Sequence, residues 1–300
     1  MRVRPPEREL RHAMYDSRRW DRFTARPDDI FIATPAKCGT TWMQGIVCSL
    51  LWPDGDAPGI PGVLSPWIDQ RIRPIDEVLG QLDAMEHRRF IKTHTPADAI
   101  PVFEDCSYVV VYRAPADAFV SWTNHRRGLR DEVWELVNGT AADEGIPATS
   151  LWDKQDPETL FDEWASNRLN PPDHLASWWQ RRGQDGVLFV HYDDLLADLE
   201  GEMRRVAEHL DIDVPERCWP EVVDRCRIDR MRSAYASTGL LDLAFEGGAD
   251  LFFHKGQAGR GRTELSAELQ ERCAALVRSH LDDEVADWLE RGSLAAGWRP

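Results

Sequence analysis

Apolar residues along this chain come in short unbroken runs separated by polar, periodic stretches. The first clear run is 30–34 (IFIAT), closed by Pro35. A strand covered on both faces has no polar side to show, so it reads as a continuous apolar run instead of an alternation. The same signature recurs at 89–93 (RFIKT), 108–113 (YVVVYR) and 187–192 (VLFVHY). Helix signals lie between these runs. Residues 40–52 are a long apolar stretch opened by Thr40 and Thr41, which suit a helix start. Pro115 and Asp117 suit a first helical turn after the third run, and Asp193 opens a periodic segment to about residue 210. Strands alternating with helices predict an α/β fold: a single domain over 1–300 with a central parallel sheet flanked by helices.

Three segments fit this pattern less closely. Residues 7–20 predict an additional helix. The stretch 128–172 is polar and rich in Gly, Asn and Pro, with Trp134, Trp152 and Trp164 interspersed, and reads as a cap or lid. The stretch 239–262 has no clear period and carries glycines at 239, 247, 248, 256, 259 and 261. It predicts a long loop of the kind that is usually functional. The acidic pairs Asp193-Asp194 and Asp282-Asp283 read as helix-start residues.

Composition narrows the function. A formal charge of -16 argues against nucleic-acid binding, which needs a broad cationic surface. Any anionic ligand must then find a local basic pocket. The six cysteines show no CxxC pair and no neighbouring His at ligand spacing, so they predict reduced thiols and no metal site. The first thirty residues lack the apolar run of a signal peptide, and no later run reaches membrane-spanning length. A cytoplasmic location is expected.

Chemistry enters at 34–42 (TPAKCGTTW), where a buried strand hands over to a helix. Backbone N–H groups and the helix dipole converge on an anion at such a junction. Lys37 adds a positive charge, Gly39 lets the backbone close in, and Thr40 and Thr41 offer hydroxyls. The order is not that of the nucleoside triphosphatase loop GxxxxGK[ST], because the lysine precedes the glycine. A phosphate-cradling loop is the natural reading, and an ordinary β-α turn with a solvated lysine is the alternative.

These residues resemble the cytosolic-type sulfotransferases that use 3′-phosphoadenosine-5′-phosphosulfate (PAPS), whose loop has the form P-K-S-G-T-T-W. Cys38 replaces the usual serine and Ala36 is an extra position. The resemblance continues in order over residues 28–265. RFIKTHTP at 89–96 is similar to the family's K-T-H segment, and YVVVYRAPADAFVS at 108–121 to its 3′-phosphate signature. VHYDDL at 190–195 resembles a segment with an adenine-side tyrosine, and HKGQAGRGR at 254–262 a loop of the form R-K-G-x-x-G. The run 65–96 is especially similar to mycobacterial glycolipid sulfotransferases. His254 stands where the family has arginine and Gly261 where it has tryptophan, which leaves the contributions of His254, Arg260 and Arg262 open.

The resemblance implies a P-loop-like nucleotide-binding sulfotransferase fold with PAPS as cosubstrate and adenosine 3′,5′-bisphosphate (PAP) as product. It implies that Lys37, Cys38, Gly39, Thr40 and Thr41 hold the 5′ end, with Trp42 and Tyr192 beside the adenine. Arg113, Ser121, His254, Lys255 and Gly256 would serve the 3′-phosphate, the segment 239–262 closing over it. His94 would be the catalytic base. Ser121 would also engage Lys37 before the acceptor arrives. Physically, sulfuryl transfer requires in-line geometry and positive charge at the leaving oxygen, which a lysine at a helix N-terminus supplies. Lys92, two residues before His94 on one strand face, would support the transferring group. No metal is expected in this scheme. The acceptor is expected to be a small molecule or lipid with a hydroxyl beside an apolar body, such as a glycolipid or phenol, with Trp67, Trp122 or Trp134 lining its pocket. A P-loop-type kinase and a non-catalytic nucleotide-binding module stand as alternatives, and a homodimer stays open.

Overall fold

The computed structural model describes residues 2–148, 156–166, 169–184, 186–253 and 256–300. Its centre is a four-stranded parallel sheet ordered Phe90–Thr93, Ile30–Ala33, Ser107–Tyr112, Val187–His191. Ala33 pairs with Thr93 on one side and Val110 on the other, and Tyr112 pairs with His191. The four carboxyl ends therefore come to one edge.

Alternation along each strand divides the core. Ile30, Ile32, Val109, Val111 and Val190 face one layer, while Phe31, Ala33, Val110, Tyr112 and Phe189 face the other. On the first side lies the helix Thr40–Leu51, which packs Met43, Ile46, Val47 and Leu50 against the sheet at the 3-1-3 spacing of one helical stripe. All four are fully buried, and each contributes about 1.5–3 kcal/mol of hydrophobic stabilisation. On the second side Leu175, Trp178 and Trp288 cover the strands. The six cysteines are free and buried. Among the described residues no helix is long and apolar enough to cross a membrane.

The helix expected over 7–20 does not form. The N-terminal segment instead pairs Val3–Arg4 antiparallel with Val102–Phe103, and only Ser17–Arg22 makes a short 3-10 turn, capped by Asp16. Its charges find distant partners: Arg8 meets Asp98 at 2.8 Å and Arg11 meets Glu144 at 3.0 Å. The segment expected to run helically to about residue 210 is broken at Asp198 into Tyr192–Ala197 and Leu199–His209, the Asp198 side chain capping the second.

Within 128–172 the described residues form the helices Asp131–Ala142 and Pro157–Ser166, with Trp134 and Trp164 buried. Trp152 lies outside the described residues. Within 239–262 the chain makes short helical pieces at Leu241–Leu243, Gly248–Phe253 and Arg260–Glu264 in place of a continuous loop. Glycines with positive φ at 248, 256 and 259 punctuate them.

Candidate active site

The residue that follows each strand reaches the same edge of the sheet: Thr34, His94, Arg113 and Tyr192. Together with the Lys37 loop, His94, Arg113 and Tyr192 open on a cavity of about 380 Å3. Of the residues expected at the site, Lys37, Gly39, Thr40, Thr41, Trp42, Lys92, His94, Arg113, Ser121, Tyr192 and Gly256 all line it. His254 and Lys255 lie outside the described residues. Cys38 does not line it. Its thiol points into the core beside Ala118 and Phe119, 3.9 Å from the Ala36 carbonyl, and burial pushes it up to about 12. A thiol cannot replace serine as a donor from that position.

Gly39 caps the helix Thr40–Leu51 with φ 109°, a left-handed value, and a Cβ there would sit 3.1 Å from the Tyr192 ring. Only glycine meets both constraints. The Thr40 hydroxyl bonds that of Thr34, pinning the loop to the strand end. The first N–H groups of this helix have no intrahelical acceptor and are available to an anion. Lys37 itself adopts φ 68°.

His94 is buried, and its Nδ1 lies 2.6 Å from the Thr34 carbonyl oxygen. A carbonyl can only accept, so Nδ1 carries the proton and Nε2 keeps its lone pair. Burial first, then the neighbouring Lys92 ammonium, holds His94 well below the usual histidine range, so the ring is neutral at pH 7. Its segment is clamped from behind. The hydroxyls of Thr93 and Thr95 both donate to one Asp69 carboxylate oxygen at 2.5 Å. Trp67 meets the His94 ring edge-on at 4.7 Å and lies 3.9 Å beneath the Lys92 ammonium.

Among the described residues five cations line the cavity (Lys37, Lys92, Arg113, Arg126 and Arg260) and no carboxylate does. Burial and the like charges of Lys92 and Arg113 bring Lys37 down to about 7, and burial brings Lys92 to about 8. Such crowding is unfavourable in the absence of an anion. Arg113 stacks at 4.3 Å over the Tyr192 ring, lies 3.5 Å from Asp117 and donates to the Gln257 carbonyl at 2.6 Å. Its Nε is buried without a hydrogen-bond partner among the described residues.

Asp117, read from sequence as a first-turn residue, is also the anchor of a distant loop. Its two carboxylate oxygens accept from the Gly259 and Gly261 N–H groups at 2.7 Å each. Gly261 packs so closely on Ala116 that a Cβ would fall 2.8 Å from its backbone, which leaves no room for the tryptophan of the family pattern. Arg260 lines the cavity and is held by Glu264 at 2.8 Å.

The rest of the wall is aromatic. Trp67, Trp122 and Trp134 all line the cavity, joined by Tyr15, Phe245 and Phe252. Arg126 lies between Trp122 and Trp134, 4.4 and 4.8 Å from their centroids, and pairs with Glu163 at 2.7 Å. Ser121 also lines the cavity, but its hydroxyl does not meet Lys37. The lysine Nζ instead lies 3.0 Å from Nδ1 of His125. Asp69, His125, Arg126 and the Thr34 carbonyl had no signal in the sequence, because each acts through residues remote along the chain.

Anionic ligands bind outside the carboxyl ends of parallel strands in the doubly wound class of α/β proteins, and this edge has that form. The sulfotransferase domain model matches residues 27–285. A glycolipid sulfotransferase of Mycobacterium bovis is 35% identical over 246 residues, 74% of this chain and 75% of that protein. Two solved structures share the fold. A mouse sulfotransferase, SULT7A1, complexed with PAP has a TM-score of 0.66 at 21% identity over 90% of both chains. Retinol dehydratase with retinol and PAP has a TM-score of 0.70 at 21% identity, covering 89% of this chain and 84% of the other. The chain belongs to the sulfotransferase family, and it is a sulfotransferase. This membership favours sulfuryl transfer over the kinase and non-catalytic alternatives.

Proposed function

We propose that the protein transfers a sulfuryl group from PAPS to a hydroxyl of a largely apolar acceptor, a glycolipid or a phenol, with Nε2 of His94 as the base. The observation that carries this reading is the His94–Thr34 bond, which leaves a neutral ring with its lone pair on Nε2 at a cavity with no lining carboxylate among the described residues. The acceptor hydroxyl gives its proton to Nε2 as its oxygen bonds to sulfur. Charge building on the leaving oxygen is met by Lys37, with Lys92 facing the transferring group. The Thr40–Leu51 helix N-terminus and the Gly39 backbone suit the 5′ end. Arg113, whose buried Nε has no partner among the described residues, and Ser121 suit the 3′-phosphate, while Trp42 and Tyr192, both in the lining, suit the adenine. His254 and Lys255 are proposed partners of the same phosphate, on the resemblance alone.

The acceptor assignment rests on the aromatic wall of Tyr15, Trp67, Trp122, Trp134 and Phe245, and on the 35% identity to a glycolipid enzyme. The test is transfer of labelled sulfate from PAPS to a panel of glycolipid, phenolic and charged-glycan hydroxyls. Label on an apolar acceptor supports the assignment. Label confined to charged glycans would overturn it.

A further inference from the structure

The N-terminal segment folds back on itself at 12–15. The His12 N–H donates to the Tyr15 carbonyl at 2.8 Å, the Tyr15 N–H returns to the His12 carbonyl at 3.2 Å, and Arg11 bridges Asp16 just outside. Ala13 anchors the turn, buried against Val137 and Ala141 of the helix Asp131–Ala142 and against Ile146. Within it the Met14 N–H lies 3.2 Å from Nδ1 of His12. A backbone N–H only donates, so Nδ1 keeps its lone pair and the ring proton resides on Nε2. Burial first, then the Arg126 guanidinium, lowers His12 to about 4, and the ring is neutral at pH 7. Its Nε2 makes no hydrogen bond among the described residues and is not sealed in the protein. His94 has the reverse arrangement, with the proton on Nδ1.

Both histidines line the cavity, and a file of rings joins them. His12 stacks on Tyr15 at 5.4 Å, and Tyr15 meets His94 edge-on at 6.1 Å. Trp67 packs on Tyr15 at 5.2 Å and on His94 at 4.7 Å. The donor His12 is thus no more than two ring spacings from the acceptor His94.

We propose that His12 is a specificity-determining residue, whose Nε2–H binds a second, uncharged oxygen of the acceptor molecule, an ether, carbonyl or hydroxyl, beyond the hydroxyl that reacts. The inference rests on the apolar-acceptor reading above and deepens it. Chemistry sets the class of group. A ring that stays neutral offers no charge to a carboxylate or a sulfate, and the Arg126 beside it is already paired with Glu163 at 2.7 Å. An ammonium would meet the N–H donor to donor. A wholly apolar body would cover the N–H and leave it without a partner, which is unfavourable. An uncharged oxygen completes the site, and the anchored turn holds the donor ready for it.

The probes are 4′-methoxybiphenyl-4-ol and 4′-ethylbiphenyl-4-ol, two phenols of one shape in which a terminal ether oxygen replaces a methylene two rings from the phenol. Each is titrated calorimetrically into the full chain loaded with PAP. Wild type is expected to bind the methoxy compound about three- to tenfold more tightly, the scale of one hydrogen bond between neutral groups. His12→Phe keeps the stack on Tyr15 but lacks the donor, and it is expected to bind the two alike. His12→Gln, whose amide donates, is expected to keep the preference for the ether. Should the phenylalanine variant lose its cooperative melt, His12→Leu answers the same question. Equal affinity for the two probes in wild type, or an undiminished preference in folded His12→Phe or His12→Leu, would overturn the role of His12 and leave the apolar acceptor standing. Binding of PAP with neither probe would instead overturn the apolar-acceptor reading on which the role rests.

Discussion

A ring nitrogen that donates to a backbone carbonyl cannot also take a proton, and in His94 that nitrogen is Nδ1. The proposed base is thus specified by one bond to Thr34. Arg113 is specified in a similar way. It is stacked on Tyr192, and its buried Nε has no hydrogen-bond partner among the described residues. Arg113→Ala is expected to weaken PAP binding by roughly 1.5–3 kcal/mol, the scale of a hydrogen bond to a charged group, in calorimetry. AMP, which lacks the 3′-phosphate, should stabilise wild type far less than PAP. Equal stabilisation would remove the 3′ assignment. Proton linkage gives a second residue-scale expectation. Lys37 near 7 and Lys92 near 8 are partly deprotonated at pH 8 in the free protein, and a bound anion raises both. PAP binding at pH 8 should therefore take up protons, and the uptake should fade toward pH 6, where both lysines are already charged. Calorimetry in buffers of different ionisation enthalpy measures this, and zero uptake at pH 8 would contradict it. Lys37, His94, Arg113 and Tyr192 were legible in the sequence because each sits at a strand end within a local motif. Asp69, Asp117 and His125 were not, since their partners lie 24 and 26, 142 and 144, and 88 residues away.

Elements were legible to the extent that their hydrophobic pattern is local. The four buried strands read as apolar runs because both faces are covered, and the helix Thr40–Leu51 showed its stripe. The N-terminal segment misled because its charges bond across the molecule, as Arg8 does to Asp98, instead of along a helix. The pieces between 239 and 262 are each too short to show a period. What orders their end is Asp117, a single carboxylate holding the Gly259 and Gly261 N–H groups. Asp117→Ala strands both donors in a partly buried site and is expected to destabilise the protein by about 1–3 kcal/mol. A urea-denaturation midpoint equal to wild type would mean that water satisfies the loop and the anchor is dispensable.

At the scale of the whole molecule the site runs against its surroundings. A chain of formal charge -16 gathers five cations around one cavity without a lining carboxylate among the described residues. The acidic exterior disfavours long anionic polymers, while a small anion gains the full local field inside. The aromatic residues of the same lining suit an apolar body bearing one reactive hydroxyl. The most direct test of this account is transfer of labelled sulfate from PAPS to an apolar hydroxyl acceptor by wild type and by His94→Ala, with PAP affinity measured on both. The account predicts near-equal PAP affinity and a loss of transfer of about 10²-fold or more in the variant, the usual worth of a general base. Transfer by His94→Ala at the wild-type rate would contradict it.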